Sequence, residues 1–183
     1  MERLKPGKLD PDFLAALFAR NRVRDPRVLI GPGVGLDVAV IDQGRTCLVV
    51  KTDPITFTTE SLGWYAVTVN ANDIAVSGAR PVWFLAALLL PADAATREMA
   101  EAIYNDLQDA CEELEIDLIG GHTEVTPGID RPIMTGIMLG EVERDKLIRS
   151  DGARPGDRLL LTRGAAIEGT ALIALEQRDR LVE

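Results

Sequence analysis

The sequence predicts an α/β or α+β domain. Three observations point there: apolar strand-like runs alternate with helical patterns at short spacing, Gly, Pro and Asp punctuate the connections, and 46% of the 183 residues are hydrophobic, enough for a sizeable core. Residues 1–8 read as a lead-in, with Pro6 and Gly7 among charges. A helix is expected over residues 10–20, because Asp10 can cap it, Pro11 suits its first position, and Leu14, Leu17 and Phe18 share a face. After a basic connector, residues 30–37 (IGPGVGLD) read as a glycine loop, followed by VAVI and the strand TCLVVKTDPITF. Residues 63–79 read as a helix of small and apolar residues almost free of charge, which must be buried on most of its circumference. The strand VWFLAALLLP, an amphipathic helix over about residues 94–114, the loop GGHTEVTPGIDRP and the strand IMTGIMLGEV complete this part.

Near Ser150 the composition changes to the turn-rich hinge SDGARPGDR, so domains are expected at 1–149 and 150–183. The second holds one strand (LLLTRG), a glycine-containing turn and one helix. These either pack on the first domain or begin a second one.

A net charge of −9 and a pI near 4.7 argue against a nucleic-acid partner, since phosphate-backbone binders cluster Lys and Arg. Acidity suits a protein that brings Mg²⁺ to a polyphosphate, because a hard cation takes carboxylate oxygens. The two cysteines, Cys47 and Cys111, lie in a strand-like and a helix-like run, outside any zinc or disulfide pattern. The opening residues lack a signal pattern, and the uncharged apolar stretch 81–91 is too short to span a bilayer, so the expected compartment is the cytoplasm, with no membrane partner.

Four segments concentrate polar residues in apolar surroundings. In the glycine loop, Gly33 and Gly35 can offer backbone N–H groups to phosphates and Asp37 a carboxylate to the accompanying metal. The loop matches neither the P-loop nor the Rossmann pattern, and alone it also reads as a structural turn. In KTDPITF, period two places Lys51 and Asp53 on one sheet face, either steering phosphate and metal or forming a surface ion pair. In VNANDIAVSGARP, Asn70, Asp73 and Ser77 share one face of an apolar helix. An unpaired buried carboxylate costs several kcal/mol, so Asp73 calls for a cation or a hydrogen-bonding neighbour. In GGHTEVTPG, Gly120 and Gly121 precede His122, Thr123 and Glu124; Glu124 is the metal or ribose candidate and His122, the only histidine, a hydrogen-bonding residue.

In that order and spacing, GVGLDVAVI, KTDPITF, NANDIAVSGARP and GGHTEVTPG resemble the successive signatures of the AIR synthase (PurM-like) superfamily. Its members include AIR synthase, selenophosphate synthetase, thiamine-monophosphate kinase and HypE. The resemblance runs from about Lys8 to the chain end, where GDRLLLTRGAAIEGTALIA is similar to the opening of the family's second domain. It implies a mixed sheet with flanking helices that pairs across a homodimer into a barrel, with ATP near the interface. Carried over by position, Asp37, Asp53 and Asp73 would hold Mg²⁺, and Asn70 with the GGHT segment would lie nearby. Family members often carry two consecutive aspartates where this chain has Leu36 and Asp37, which bears on the number of Mg²⁺ ions.

The GARP, VWFLAALLLP and GAAIEGTA segments look most like HypE and its relatives, while His122 is similar to the selenophosphate synthetase form. The expected activity is Mg-ATP-dependent phosphoryl transfer that activates an amide- or carbamoyl-like oxygen of a small molecule or protein tail. Lys51, Asp73 and His122 are the candidate catalytic groups. The alternatives are a relative of thiamine-monophosphate kinase, selenophosphate synthetase or AIR synthase, and a nucleotide-binding dimerisation module without turnover.

Overall fold

The computed structural model describes residues 3–181. Helix α1 (Pro11–Phe18) starts where Oδ1 of Asp10 accepts from the amides of Asp12 and Phe13. Six strands then form one sheet: β1 (Val28–Ile30), β2 (Ala39–Asp42), β3 (Thr46–Ile55), β4 (Arg80–Pro91), β5 (Asp117–Thr126) and β6 (Ile133–Glu143). Their order is β1-β2-β3-β6-β4-β5. Only β4 and β5 are parallel, and helix α3 (Arg97–Glu113) supplies the crossover that a parallel pair requires. Helix α2 (Leu62–Val76) links β3 to β4.

Both long helices cover the same sheet face. Alternate residues there are buried: Cys47, Val49 and Ile55 on β3, Phe84, Leu88 and Leu90 on β4, Met134, Met138 and Val142 on β6. The residues between them, Leu48, Val50, Leu85, Leu89 and Leu139, are half-buried, and Ile137 is exposed on the opposite, uncovered face.

Glycine sets how closely α2 packs. A side chain at Gly63 would collide with the backbone of Leu107 on α3, and side chains at Gly136 and Gly140 would collide with Asn70 and Ile74 of α2. The start of α2 is capped from another helix. Ser61 has a left-handed φ of 51° and makes no side-chain cap, and Oδ2 of Asp106 on α3 accepts instead from the amides of Gly63 (2.7 Å) and Trp64 (3.1 Å).

Several expectations are corrected. GGHTEV is not a loop but the middle of β5, and the turn is confined to the residues that follow Thr126. Gly121 lies so close to β4 that a side chain would collide with the carbonyl of Ala86, so this glycine serves strand packing. The first helix ends two residues early, at Phe18. Helix α2 stops at Val76 because Ser77 Oγ donates to Ile74 O and Gly78 turns the chain with φ +81°. Helix α2 is buried on most of its circumference, as expected, with Trp64 and Val76 among its exposed residues. Helix α3 begins at Arg97, where Thr96 Oγ1 accepts from Met99 N at 3.1 Å.

The chain divides into two compact units, one through Gly152 and one from Ala153. In the second, LLLTRG forms no strand, and Leu159, Leu160 and Leu161 are exposed, as a strand without neighbours must be. Its helices are α4 (Ile167–Glu176) and α5 (Arg178–Leu181).

Gly63→Ala is expected to destabilise the fold by about 1–3 kcal/mol through overpacking against α3, and Asp106→Ala by about 1 kcal/mol through loss of the cap. Urea-unfolding midpoints measure both; an unchanged midpoint for Asp106→Ala means that the cap contributes nothing.

Candidate functional site

Strand β3 directs Lys51 and Asp53 toward α2, where Asp73 meets them. Lys51 Nζ lies 2.6 Å from Asp73 Oδ2 and 3.2 Å from Asp53 Oδ2, with the lysine side chain only 10% exposed. Asn70, fully buried one turn earlier, locks this geometry. Its Oδ1 accepts from Asp53 N at 2.9 Å and its Nδ2 donates to Ala66 O at 2.8 Å and Asp53 O at 3.4 Å. The Asn70 amide is occupied by these backbone partners, which hold Asp53 in place.

Asp37 reaches the cluster from the glycine loop. It lines, with Gly31, Pro32, Lys51 and Thr52, a cavity of about 300 Å³, and with Asp73, Ile148 and Ser150 a small pocket of about 30 Å³. Burial raises the Asp73 carboxyl above its ordinary pKa; Lys51 pulls it down, and the charges of Asp53 and Asp37 push it up again. Burial works against the Lys51 charge, but the hydrogen bond to Asp73 and the charges of Asp73 and Asp53 outweigh it, so the ammonium titrates higher than usual. The ammonium is paired with two carboxylates, and the charge of Asp37 also reaches Asp73, so negative charge exceeds positive in the cluster.

Among the described residues, no three carboxylate, imidazole or thiolate groups converge closely enough to hold a metal alone. Mg²⁺ delivered with a polyphosphate keeps waters and takes one or two protein carboxylates. All three candidate donors are hard oxygens, as Mg²⁺ prefers.

The GGHT segment lies elsewhere. Asp53 pairs with Gly136, Gly136 with Ala86 and Ala86 with Gly121, so Gly121 is three strand spacings from Asp53, roughly 14 Å. Strand alternation places Gly121 and Thr123 on the helix face with Ala86 and Leu88, and Gly120, His122 and Glu124 on the open face. His122 Nε2 lies 3.0 Å from Glu124 Oε2, and Thr126 Oγ1 donates to Glu124 Oε1 at 2.7 Å; the His122 contact first and Thr126 second hold the Glu124 pKa below its usual value. Within one chain, His122 and Glu124 therefore do not join the aspartates.

A cavity of about 410 Å³ opens beside this segment, walled by Leu88, Tyr104, Leu107, Leu118, Gly121 and Met134. Tyr104 was not singled out from the sequence, and the signal was an aromatic exposed on the surface of α3. The sequence shows Ser150 only as the start of a hinge and gives no sign of Ile148, because their approach to Asp37 and Asp73 is a long-range contact.

Residues 35–142 match the family described as AIR synthase related protein, N-terminal domain. A protein of Methanocaldococcus jannaschii named for hydrogenase expression and formation is 30% identical over 79% of this chain and 45% of its own length. A selenide, water dikinase of Trichlorobacter lovleyi is 33% identical over 91% of this chain and 49% of its own. The solved structure of AaThiL complexed with AMPPCP and TMP superposes with a TM-score of 0.64 at 28% identity, over 78% of this chain and 47% of that one. The chain spans about half the length of the curated relatives it matches.

A carboxyl whose folded pKa is raised contributes stability that is full below its unfolded pKa and is lost as pH rises through the folded value. Ionised Asp73 therefore weakens the fold at neutral pH, and Asp73→Asn is expected to raise Tm by up to about 2–4 °C there without divalent cations. The gain should vanish at acidic pH. Scanning calorimetry across that range checks it, and a lower Tm at neutral pH shows that the Lys51 pair dominates burial.

Proposed function

The chain belongs to the AIR synthase related family, and from that membership we propose that it is the nucleotide-binding part of a Mg²⁺-ATP-dependent, HypE-like enzyme. The reaction would transfer or use a phosphoryl group to activate an amide- or carbamoyl-like oxygen on a small molecule or protein tail. The observation that carries this reading is the under-neutralised cluster of Asp37, Asp53 and Asp73 around Lys51, placed against a glycine loop and a cavity of about 300 Å³.

Asp37, Asp53 and Asp73 would hold Mg²⁺, which when bound supplies charge neutralisation and Lewis acidity at the phosphates. Lys51 sits within reach of the same space and offsets phosphate charge. Asn70 keeps the Asp53 backbone fixed, so the carboxylates do not reorganise as charge develops. Gly33 and Gly35 leave the loop backbone open to phosphate oxygens. The larger cavity beside Tyr104, with its apolar wall and the strand bearing Gly120, Gly121 and Thr123, suits a nucleobase or the second substrate.

A homodimer is part of this reading. The uncovered sheet face carries half-buried leucines and valines together with His122 and Glu124, and a second copy packed there would cover them. The cytoplasm is the expected compartment, and no helix among the described residues is long and apolar enough to cross a membrane.

Two observations favour finer or different readings. The selenide, water dikinase and ThiL relatives support a phosphoryl acceptor other than a carbamoyl group. Leu36 beside Asp37, where the family often has a second aspartate, supports a module that binds nucleotide without turnover.

Asp73→Ala is expected to weaken Mg²⁺-ATP binding by more than tenfold in titration calorimetry while circular dichroism stays unchanged. Unaltered affinity sinks the assignment of this cluster. ADP release that depends on an added acceptor supports the enzyme, whereas tight binding without release supports the module.

A further inference from the structure

Two ligands in the proposed site stand on different supports: Asp73 on the last turn of α2, and Asp37 on the loop between β1 and β2. Residues 31–38 have no regular structure, and one internal backbone bond, Leu36 N to Gly33 O at 3.2 Å, is their own reinforcement. The remaining ties come from a distant stretch of chain. Ser150 Oγ donates to Gly35 O at 3.3 Å, and Arg149 Nη1 donates to Leu29 O, just before the loop, at 3.3 Å. Arg149 is itself held by Asp151 through two contacts of 2.8 Å.

The same stretch is fastened to the end of α2. Ile148 N donates to Ser77 O at 2.8 Å, and Ser77 is buried with its hydroxyl turned back onto Ile74 O. Gly78, with φ +81°, leaves room for the carbonyl of Lys146 and the side chain of Ile148, which a Cβ would crowd. Ile148 and Ser150 then form the wall of the small pocket between Asp37 and Asp73.

We propose that residues 146–150 are a clamp that sets the spacing of Asp37 and Asp73, with Ser150 the positioning residue for the glycine loop and Ile148 the anchor on α2. The clamp's relevance to catalysis rests on the reading that these aspartates bind Mg²⁺-ATP; its effect on the loop does not. Residues 146–150 lead directly into the second unit, so the sequence segment that joins the two units is also the one that fixes a metal ligand.

The test uses the whole chain with Ser150→Ala and Ser150→Thr, the latter keeping a hydroxyl. Amide hydrogen exchange of residues 31–38 without nucleotide is expected to quicken by roughly three- to tenfold in Ser150→Ala, the range that one neutral hydrogen bond supplies, and to stay near wild type in Ser150→Thr. Exchange in α3 should not change. Mg²⁺-ATP affinity should fall by a similar factor in Ser150→Ala and recover in Ser150→Thr. Unchanged exchange of 31–38 in Ser150→Ala overturns the clamp, as does a general rise in exchange across the unit. If exchange responds as expected but wild type binds no Mg²⁺-ATP, the clamp stands and the proposed function falls.

Discussion

One nearly buried ammonium set between two carboxylates is the constraint on which the arrangement of this unit turns. Lys51 is nearly buried, and burial of an ionised group is tolerated only when partners compensate. Asp73 and Asp53 provide that compensation at 2.6 and 3.2 Å, which obliges β3 and α2 to meet at one register. Asn70 secures the register by bonding the backbone of Asp53 on both sides, and Gly136 and Gly140 let the helix come close enough for those bonds to form. With Asp37 nearby, the cluster keeps an excess of negative charge.

Much of this was legible in the chain itself. Period two on β3 and helical spacing on α2 are local rules, so the convergence of Lys51 with Asp53, and the shared face of Asn70 and Asp73, follow from counting residues. The alternation of strands and helices likewise marked the layered architecture. What counting could not supply was strand order. The parallel pairing of β4 with β5 places the GGHT residues at the far edge of the sheet, three strands from Asp53. No local pattern distinguishes that edge from a position beside the aspartates.

Glycine was misread for a related reason. In sequence, two adjacent glycines ahead of polar residues suggest a loop that wraps a ligand, and the same pair also suits a strand pressed against its neighbour. Only the distance from Gly121 to Ala86 separates the two cases. The missing strand in LLLTRG is the converse: its residues have the right propensity, but strand formation needs hydrogen-bonding partners that propensity alone does not provide. The cap of α2 by Asp106 was equally invisible, because a residue 43 positions away serves where a serine at the helix start would be expected.

The position of β6 carries a consequence for the order in which the unit takes shape. It is the last strand of the first unit, yet it lies between β3 and β4 and is hydrogen-bonded along most of its length to both. Until residues 133–143 leave the ribosome, the β1–β3 meander and the β4–α3–β5 crossover share no backbone ladder, and the inner faces of both remain without their central neighbour. Closure of the sheet is therefore a late, long-range event in vectorial synthesis, and nascent chains halted before β6 would expose two unjoined strand edges to one another and to the surroundings.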